Sequence, residues 1–185
     1  MSKKIELVLK GISEIVGNSE LCLLVLTDVS ESRQISVVCD KDIETQFAIR
    51  RQQLDIAKYL LPEVLCRILR QYDGLDCDII INNVVEGQYK TYVFSKKTLD
   101  MIPIRISDAV LLSFVANLKI YIDEALMSRQ SVPYRPELGG VSIPINALSD
   151  KMLEQALNKA IEEEDYKLAS YLRDEKQRRS GKKPS

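Results

Sequence analysis

The sequence predicts an α+β fold: a mixed, largely antiparallel β-sheet packed by two or three helices, followed by a C-terminal α-helical hairpin. Three observations predict it. Short β-branched runs bounded by turn formers are interspersed with stretches of helical periodicity up to about Met127, too irregularly for a doubly wound parallel sheet. Two apolar runs, Cys77 to Val85 and Tyr89 to Phe94, meet at Glu86-Gly87, a short glycine turn that suits an antiparallel hairpin. After Asp150 the periodicity is helical alone.

Ile5 to Leu9, Leu21 to Leu26 and Ile35 to Cys39 are strand candidates, because β-branched and apolar residues suit a pleated, half-buried surface. Gly17-Asn18-Ser19 and Ser30-Glu31-Ser32 supply the turns between them. Ile43, Phe47 and Ala48, then Leu60, Leu61, Val64, Leu65, Ile68 and Leu69, recur at helical spacing. Pro62 fits the second of these helices only in its first turn, where its missing N–H costs no hydrogen bond. The Cys77 to Phe94 hairpin follows, and Ile102 to Ile104 extends the sheet. Ser107, ahead of Asp108-Ala109-Val110-Leu111-Leu112, reads as a hydroxyl cap followed by a carboxylate at the positive end of a helix. Lys119-Ile120-Tyr121-Ile122 returns as a strand.

Pro133, Pro136, Gly139, Gly140 and Pro144 then mark a linker, in which Val141, Ile143 and Ile145 alternate and could pack on the main domain. The expected division is a main domain over 1–128, a linker over 129–148, a helical hairpin over 149–180 and a basic tail over 181–185. In the hairpin, Leu153, Leu157, Ala160 and Ile161 make one apolar stripe, and Leu168, Ala169 and Leu172 a second, with Glu164-Asp165 at the turn. Two helices of about four turns each bury too little to offset their ordering cost. Their stripes are therefore expected to face outward until covered by a second copy, another protein or the main domain, with Glu162, Glu163 and Lys167 in water. A homo-oligomer is the expected state.

Of the 185 residues, 45% are hydrophobic and 29% charged, which suffices for a core without staples. The formal charge of -1 supplies no global field toward nucleic acid or anionic lipid. Cys22, Cys39, Cys66 and Cys77 lack metal-ligand spacing and sit among apolar neighbours or in a strand-like run; they read as buried free thiols of a reducing compartment. No apolar run approaches a membrane span, so a cytoplasmic protein without a membrane partner is expected. There is no histidine. Acid–base chemistry would therefore fall to carboxylates, lysines, tyrosines, cysteines or a metal-bound water.

The run Ile104-Arg105-Ile106-Ser107-Asp108-Ala109-Val110-Leu111-Leu112-Ser113, followed by Ile120-Tyr121-Ile122-Asp123-Glu124-Ala125-Leu126, resembles the signature of the bifunctional nuclease (BFN) family. That family reads Arg-Pro-Ser-Asp-Ala at this point and closes with Pro-Ile-Tyr-Val. The hairpin with Gly87-Gln88-Tyr89 and the segment Glu44-Thr45-Gln46-Phe47-Ala48-Ile49 resemble its other blocks, so the similarity covers roughly Leu7 to Met127. Where the family carries Pro-Leu-Thr-His-Asp-Leu, this chain has Tyr59-Leu60-Leu61-Pro62-Glu63-Val64; the histidine is lost and the acid becomes Glu63. Ile106 replaces the family's proline. The C-terminal unit, from Leu153 through Ala160 and from Glu164 to Glu175, is similar to the UVR motif, a helical hairpin of the UvrB and UvrC repair proteins and some protease adaptors.

The resemblance implies hydrolysis of DNA or RNA phosphodiester bonds, with Asp108, Glu63, Glu44, Arg105 and Ser107 as the candidate catalytic residues and a protein partner at the UVR-like hairpin. No cofactor is evident; magnesium or manganese would be the metal of a nuclease. Arg105, Ser107 and Asp108 at a strand-to-helix junction would hold a phosphodiester at a helix N-terminus. The plainer reading makes Ser107 a cap and Arg105 an ion-pair partner of Asp108. Glu44 and Glu63, if they converge, would bind magnesium with open water positions; otherwise they are solvated helix faces. Asp76 and Asp78 share one strand face and read as an exposed sheet edge. The segment Lys176 to Lys183 has no interleaved aromatic and reads as an unstructured solubilising terminus, and the eight tyrosines form no stacking platform. The alternative function is a non-catalytic oligomeric adaptor in DNA repair or proteolysis that keeps the fold. The missing histidine and the near-neutral charge favour the adaptor, and the retained Arg105, Ser107 and Asp108 favour a preserved site.

Overall fold

The computed structural model describes residues 3–15, 18–72, 74–85, 87–134, 150–162, 164 and 166–179. An antiparallel meander comes first: β1 (Lys4–Ile15), β2 (Asn18–Asp28) and β3 (Arg33–Asp40). β1 and β2 run well past their apolar centres, because ladder hydrogen bonds are made by backbone and need no apolar side chain. A register shift between Leu9 and Gly11 bends β1 without breaking its pairing.

The β2–β3 turn is built on one buried carboxylate. Asp28 accepts from the Ser32 N–H at 2.8 Å, the Ser32 hydroxyl at 2.6 Å and the Arg33 N–H at 3.2 Å. Burial pushes its pKa up, but these hydrogen bonds outweigh burial and hold the carboxyl below its ordinary 3.8.

α1 (Asp42–Arg51) buries Ile43 and Phe47, and a 3-10 turn (Asp55–Tyr59) leads into α2 (Leu61–Tyr72), with Pro62 in its first turn as expected. The second half of the sheet is β4 (Cys77–Val85), β5 (Gln88–Ser95) and β6 (Met101–Ile104), all antiparallel. α3 (Ile106–Ala116) ends at Asn117, which takes the left-handed conformation at φ 58. β7 (Ile120–Asp123) then inserts between the halves, parallel to β4 and antiparallel to β1. That one parallel pair makes the sheet mixed. Its strand order is β6-β5-β4-β7-β1-β2-β3-β8, where β8 (Val132–Pro133) pairs with the start of β3. The expected α+β class is the one observed.

Two elements lie outside the sequence reading. Asp123 caps α4 (Glu124–Gln130) by accepting from the N–H groups of Ala125 and Leu126 at 2.9 and 3.2 Å. The run Asp123-Glu124-Ala125 is an ordinary helix start that the preceding strand pattern obscured. Val132 and Pro133 begin the proline-bearing stretch yet pair as a sheet edge, where proline is tolerated because its missing donor faces away from the ladder. The stretch 135–149, including Gly139, Gly140, Val141, Ile143 and Ile145, lies outside the described residues.

Leu24, Leu26, Ile35, Phe47, Ile79, Ile81, Ile122, Leu126 and Met127 form the main core. The hairpin, α5 (Asp150–Glu162) and α6 (Tyr166–Arg179), has an apolar cluster of its own. Its stripes do not face outward as expected. Leu153 and Ala160 close on Ala169 and Leu172, with Ala156 and Leu157 packed against them, because antiparallel helices joined by a tight turn present their stripes to each other. Lys176 Nζ reaches Glu154 Oε1 at 2.8 Å across the pair. Ile161 stays exposed, as does Glu162; the side chains of Glu163, Lys167 and Leu168 lie outside the described residues. The presumed unstructured tail is helical through Arg179, since Lys176 to Arg179 continue α6; Lys182 and Lys183 are not described.

Candidate functional site

The turn from β6 into α3 concentrates the charged chemistry. Arg105 is extended, at φ -64 and ψ 141, and holds the cap position of α3 with no side-chain cap hydrogen bond. Ser107, expected to be that cap, is buried inside the first helical turn instead. The helix begins two residues earlier than that cap requires, at Ile106, because Ile106 packs on the core and is drawn into it. The first-turn N–H groups of α3 have no intrahelical acceptors, and they present the positive end of the helix dipole beside Arg105.

Arg105 donates from Nε to Asp108 Oδ2 at 2.7 Å and from Nη2 to Asp108 Oδ1 at 3.1 Å, a two-point charged pairing. Its Nη1 stands 3.9 Å from Asp40 Oδ2 at the end of β3. The hydrogen bond to Asp108 and then that carboxylate's charge push the guanidinium pKa up. The Arg105 side chain is 69% exposed and that of Asp108 39%, so the pair is open to an incoming ligand.

A cavity of about 340 Å³ opens beside this turn. Val37 to Asp40 of β3, Gly87 to Tyr89 of the β4–β5 turn, Leu21, and Arg105, Ile106 and Ser107 line it. Burial pushes the Tyr89 phenol and the Cys39 thiol up, so both face the cavity as neutral groups at neutral pH. Burial likewise raises Cys22, Cys66 and Cys77, which removes thiolate nucleophiles from the chemistry. Cys77 is only half-buried, unlike the other three.

Glu44 and Glu63 are absent from the cavity wall. Glu63 Oε2 accepts from Arg50 Nη2 at 2.7 Å, with the two side chains 19% and 5% exposed, and so ties α2 to α1. Arg50 is further fixed by the Gln46 carbonyl and side-chain oxygens at 2.7 and 2.9 Å. Glu44 has Lys41 Nζ 3.9 Å away. Asp76 and Asp78 do share one face, but Lys96 Nζ sits 3.2 and 3.1 Å from their carboxylates. Nor is that face a sheet edge: β4 lies between β5 and β7, a placement that only the return of β7 reveals. Among the described residues no group of three or more His, Cys, Asp or Glu side chains could hold a metal ion.

The structure thus groups Arg105, Ser107 and Asp108, leaves Glu63 in a structural ion pair, and adds Asp40 and Gln88, which the sequence reading did not select. Asp40 ends the Ile35 to Cys39 run and Gln88 follows the hairpin glycine; both positions are legible as strand termini, where side chains project over a sheet's end.

No helix among the described residues is long and apolar enough to cross a membrane. Comparison with curated proteins finds no match to this chain. The family model described as the bifunctional nuclease domain does match, over residues 24–135, and that span contains β3, the hairpin turn, Arg105, Ser107 and Asp108. With more than half of its length matched, and every residue that lines the cavity except Leu21 inside that segment, the chain belongs to the bifunctional nuclease domain family.

Proposed function

We propose that the cavity mouth binds the phosphodiester backbone of DNA or RNA and that the domain hydrolyses it, with Arg105 holding the phosphate. The observation that carries this reading is the exposed Arg105–Asp108 pair at a helix N-terminus on the cavity rim. Two-point bonding to Asp108 uses only one edge of the guanidinium, so Nη1 keeps its hydrogens for a phosphate oxygen. Ser107 lines the same wall, and Asp40 and Asp108 flank the guanidinium as candidate bases for an attacking water. Glu44 and Glu63 take supporting roles: Glu63 braces α2 against Arg50. Magnesium or manganese, where the reaction needs one, enters with the nucleic acid, whose phosphate oxygens are the hard ligands such ions prefer.

The hairpin serves in this reading as a UVR-like contact for a protein partner, appended to the main domain as a separate unit in a cytoplasmic homo-oligomer. The alternative, a non-catalytic adaptor in repair or proteolysis, is favoured by the missing histidine together with the absence of a metal-holding cluster among the described residues. One experiment separates them. Purified protein is incubated with single- and double-stranded DNA and RNA, with and without magnesium or manganese, beside Arg105→Ala and Asp108→Ala. Cleavage that both substitutions abolish, with circular dichroism unchanged, supports the nuclease. Cleavage at the parent's level in both removes this site, and no cleavage by the parent leaves the adaptor.

A further inference from the structure

Helix α2 carries its apolar face on the outside. At 100° per residue Leu61, Leu65, Ile68 and Leu69 fall in one stripe about 100° wide, which in a monomeric protein would be turned to the core. Here they are 77%, 41%, 47% and 37% exposed. The helix docks through its other side, where Cys66 is buried and Glu63 grips Arg50. The preceding 3-10 turn also exposes Ile56 and Tyr59, at 51% and 70%.

We propose that this face is an isologous interface with a second copy of the chain. Taking a large side chain to present on the order of 200 Å² when fully exposed, the six expose roughly 600 Å² of apolar surface. That is at the upper end of what monomers leave open, and it matches the apolar share of a standard interface of about 800 Å² per partner. The stripe is also self-complementary. Leu61 and Leu69 are equally spaced about Leu65, so a two-fold axis beside Leu65 sets Leu61 of one copy against Leu69 of the other. The positions flanking the stripe on the helix, Pro62, Val64 and Gln71, carry no charge, while Arg67 and Arg70 lie on the far side. Asp55 and Lys58 of the 3-10 turn pair with each other at 3.2 Å. The helix flanks of the stripe therefore carry nothing that repels an identical copy, and the cations at the turn, Lys58 and the Arg67 that donates to the Lys58 carbonyl at 3.3 Å, lie off the stripe. This interface is distinct from the hairpin and does not depend on the phosphodiester reading.

Sedimentation velocity on the full chain tests it. The parent sediments as a dimer, or as a larger even-numbered assembly, and Leu65→Asp weakens association on the order of 100-fold with circular dichroism unchanged. Leu61→Lys, at the most exposed position of the stripe, gives the same direction without any demand on the fold. Three results overturn the proposal: a parent that stays monomeric at its highest soluble concentration, an assembly that survives both substitutions, or one that Leu157→Asp in the hairpin dissociates and Leu65→Asp does not.

Discussion

Two arginine–carboxylate pairs, Arg50–Glu63 and Arg105–Asp108, each close to 2.7 Å and do opposite things. The first is almost shut off from water: the Arg50 side chain is 5% exposed and spans two helices, with Gln46 accepting two further hydrogen bonds from Nη1. The second stands at a cavity mouth, links residues three apart on one helix start, and keeps part of its guanidinium free. Burial, not the pairing itself, separates a brace from a binding group. In the buried pair each charge is the other's solvent, so neither can leave. In the exposed pair water has already reduced the attraction, and a phosphate can compete for the arginine at little cost.

The largest effect sharpens that contrast. Glu63→Ala strands the Arg50 charge and lowers stability by about 2–3 kcal/mol, measured by urea unfolding; a loss below about 1 kcal/mol breaks the comparison. Asp28→Asn extends it to a carboxylate buried in a turn and costs about 2 kcal/mol at neutral pH. Because folding lowers the Asp28 pKa, its contribution is fully present above the unfolded value and is lost as pH falls below 3.8 toward the folded one. Melting curves of parent and Asp28→Asn should converge in acid and separate as pH rises; a gap independent of pH refutes that assignment. Asp108→Ala, by contrast, changes stability by less than about 1 kcal/mol while abolishing cleavage, so a strongly destabilised variant makes this pair a second brace. Ser107→Ala has the smallest effect, within about 0.5 kcal/mol, because the residue caps nothing. A loss near 1 kcal/mol restores it as a cap.

The fold was legible where local pattern and tertiary packing agree. The runs at Leu21 to Leu26, Ile35 to Cys39 and Cys77 to Phe94 fold as read, since a short apolar run bounded by turn formers is a property of the strand itself. Pro62 in the first turn of α2 is legible for the same reason: the restriction lies in its own ring. Of the site, the Arg105–Asp108 pairing follows from spacing three along a helix start. Asp40 and Gln88 were legible as strand termini only, because their meeting with Arg105 at the cavity depends on how separate strands are brought together. Ser107 failed as a cap because the packing of Ile106, not the serine hydroxyl, sets where α3 begins.

The sequence by itself determined the α+β class, the order of most elements, the helical hairpin and the Arg105–Asp108 pair, all of which rest on contacts within a few residues. Tertiary structure alone decided that β7 returns between β4 and β1, that Glu63 is consumed by Arg50, and that the apolar stripe of α2 faces water. Each of these depends on which distant surface an element meets. A chain encodes that only through the sum of many packing contacts, whereas spacing along one helix or strand reports on its own neighbours and nothing farther.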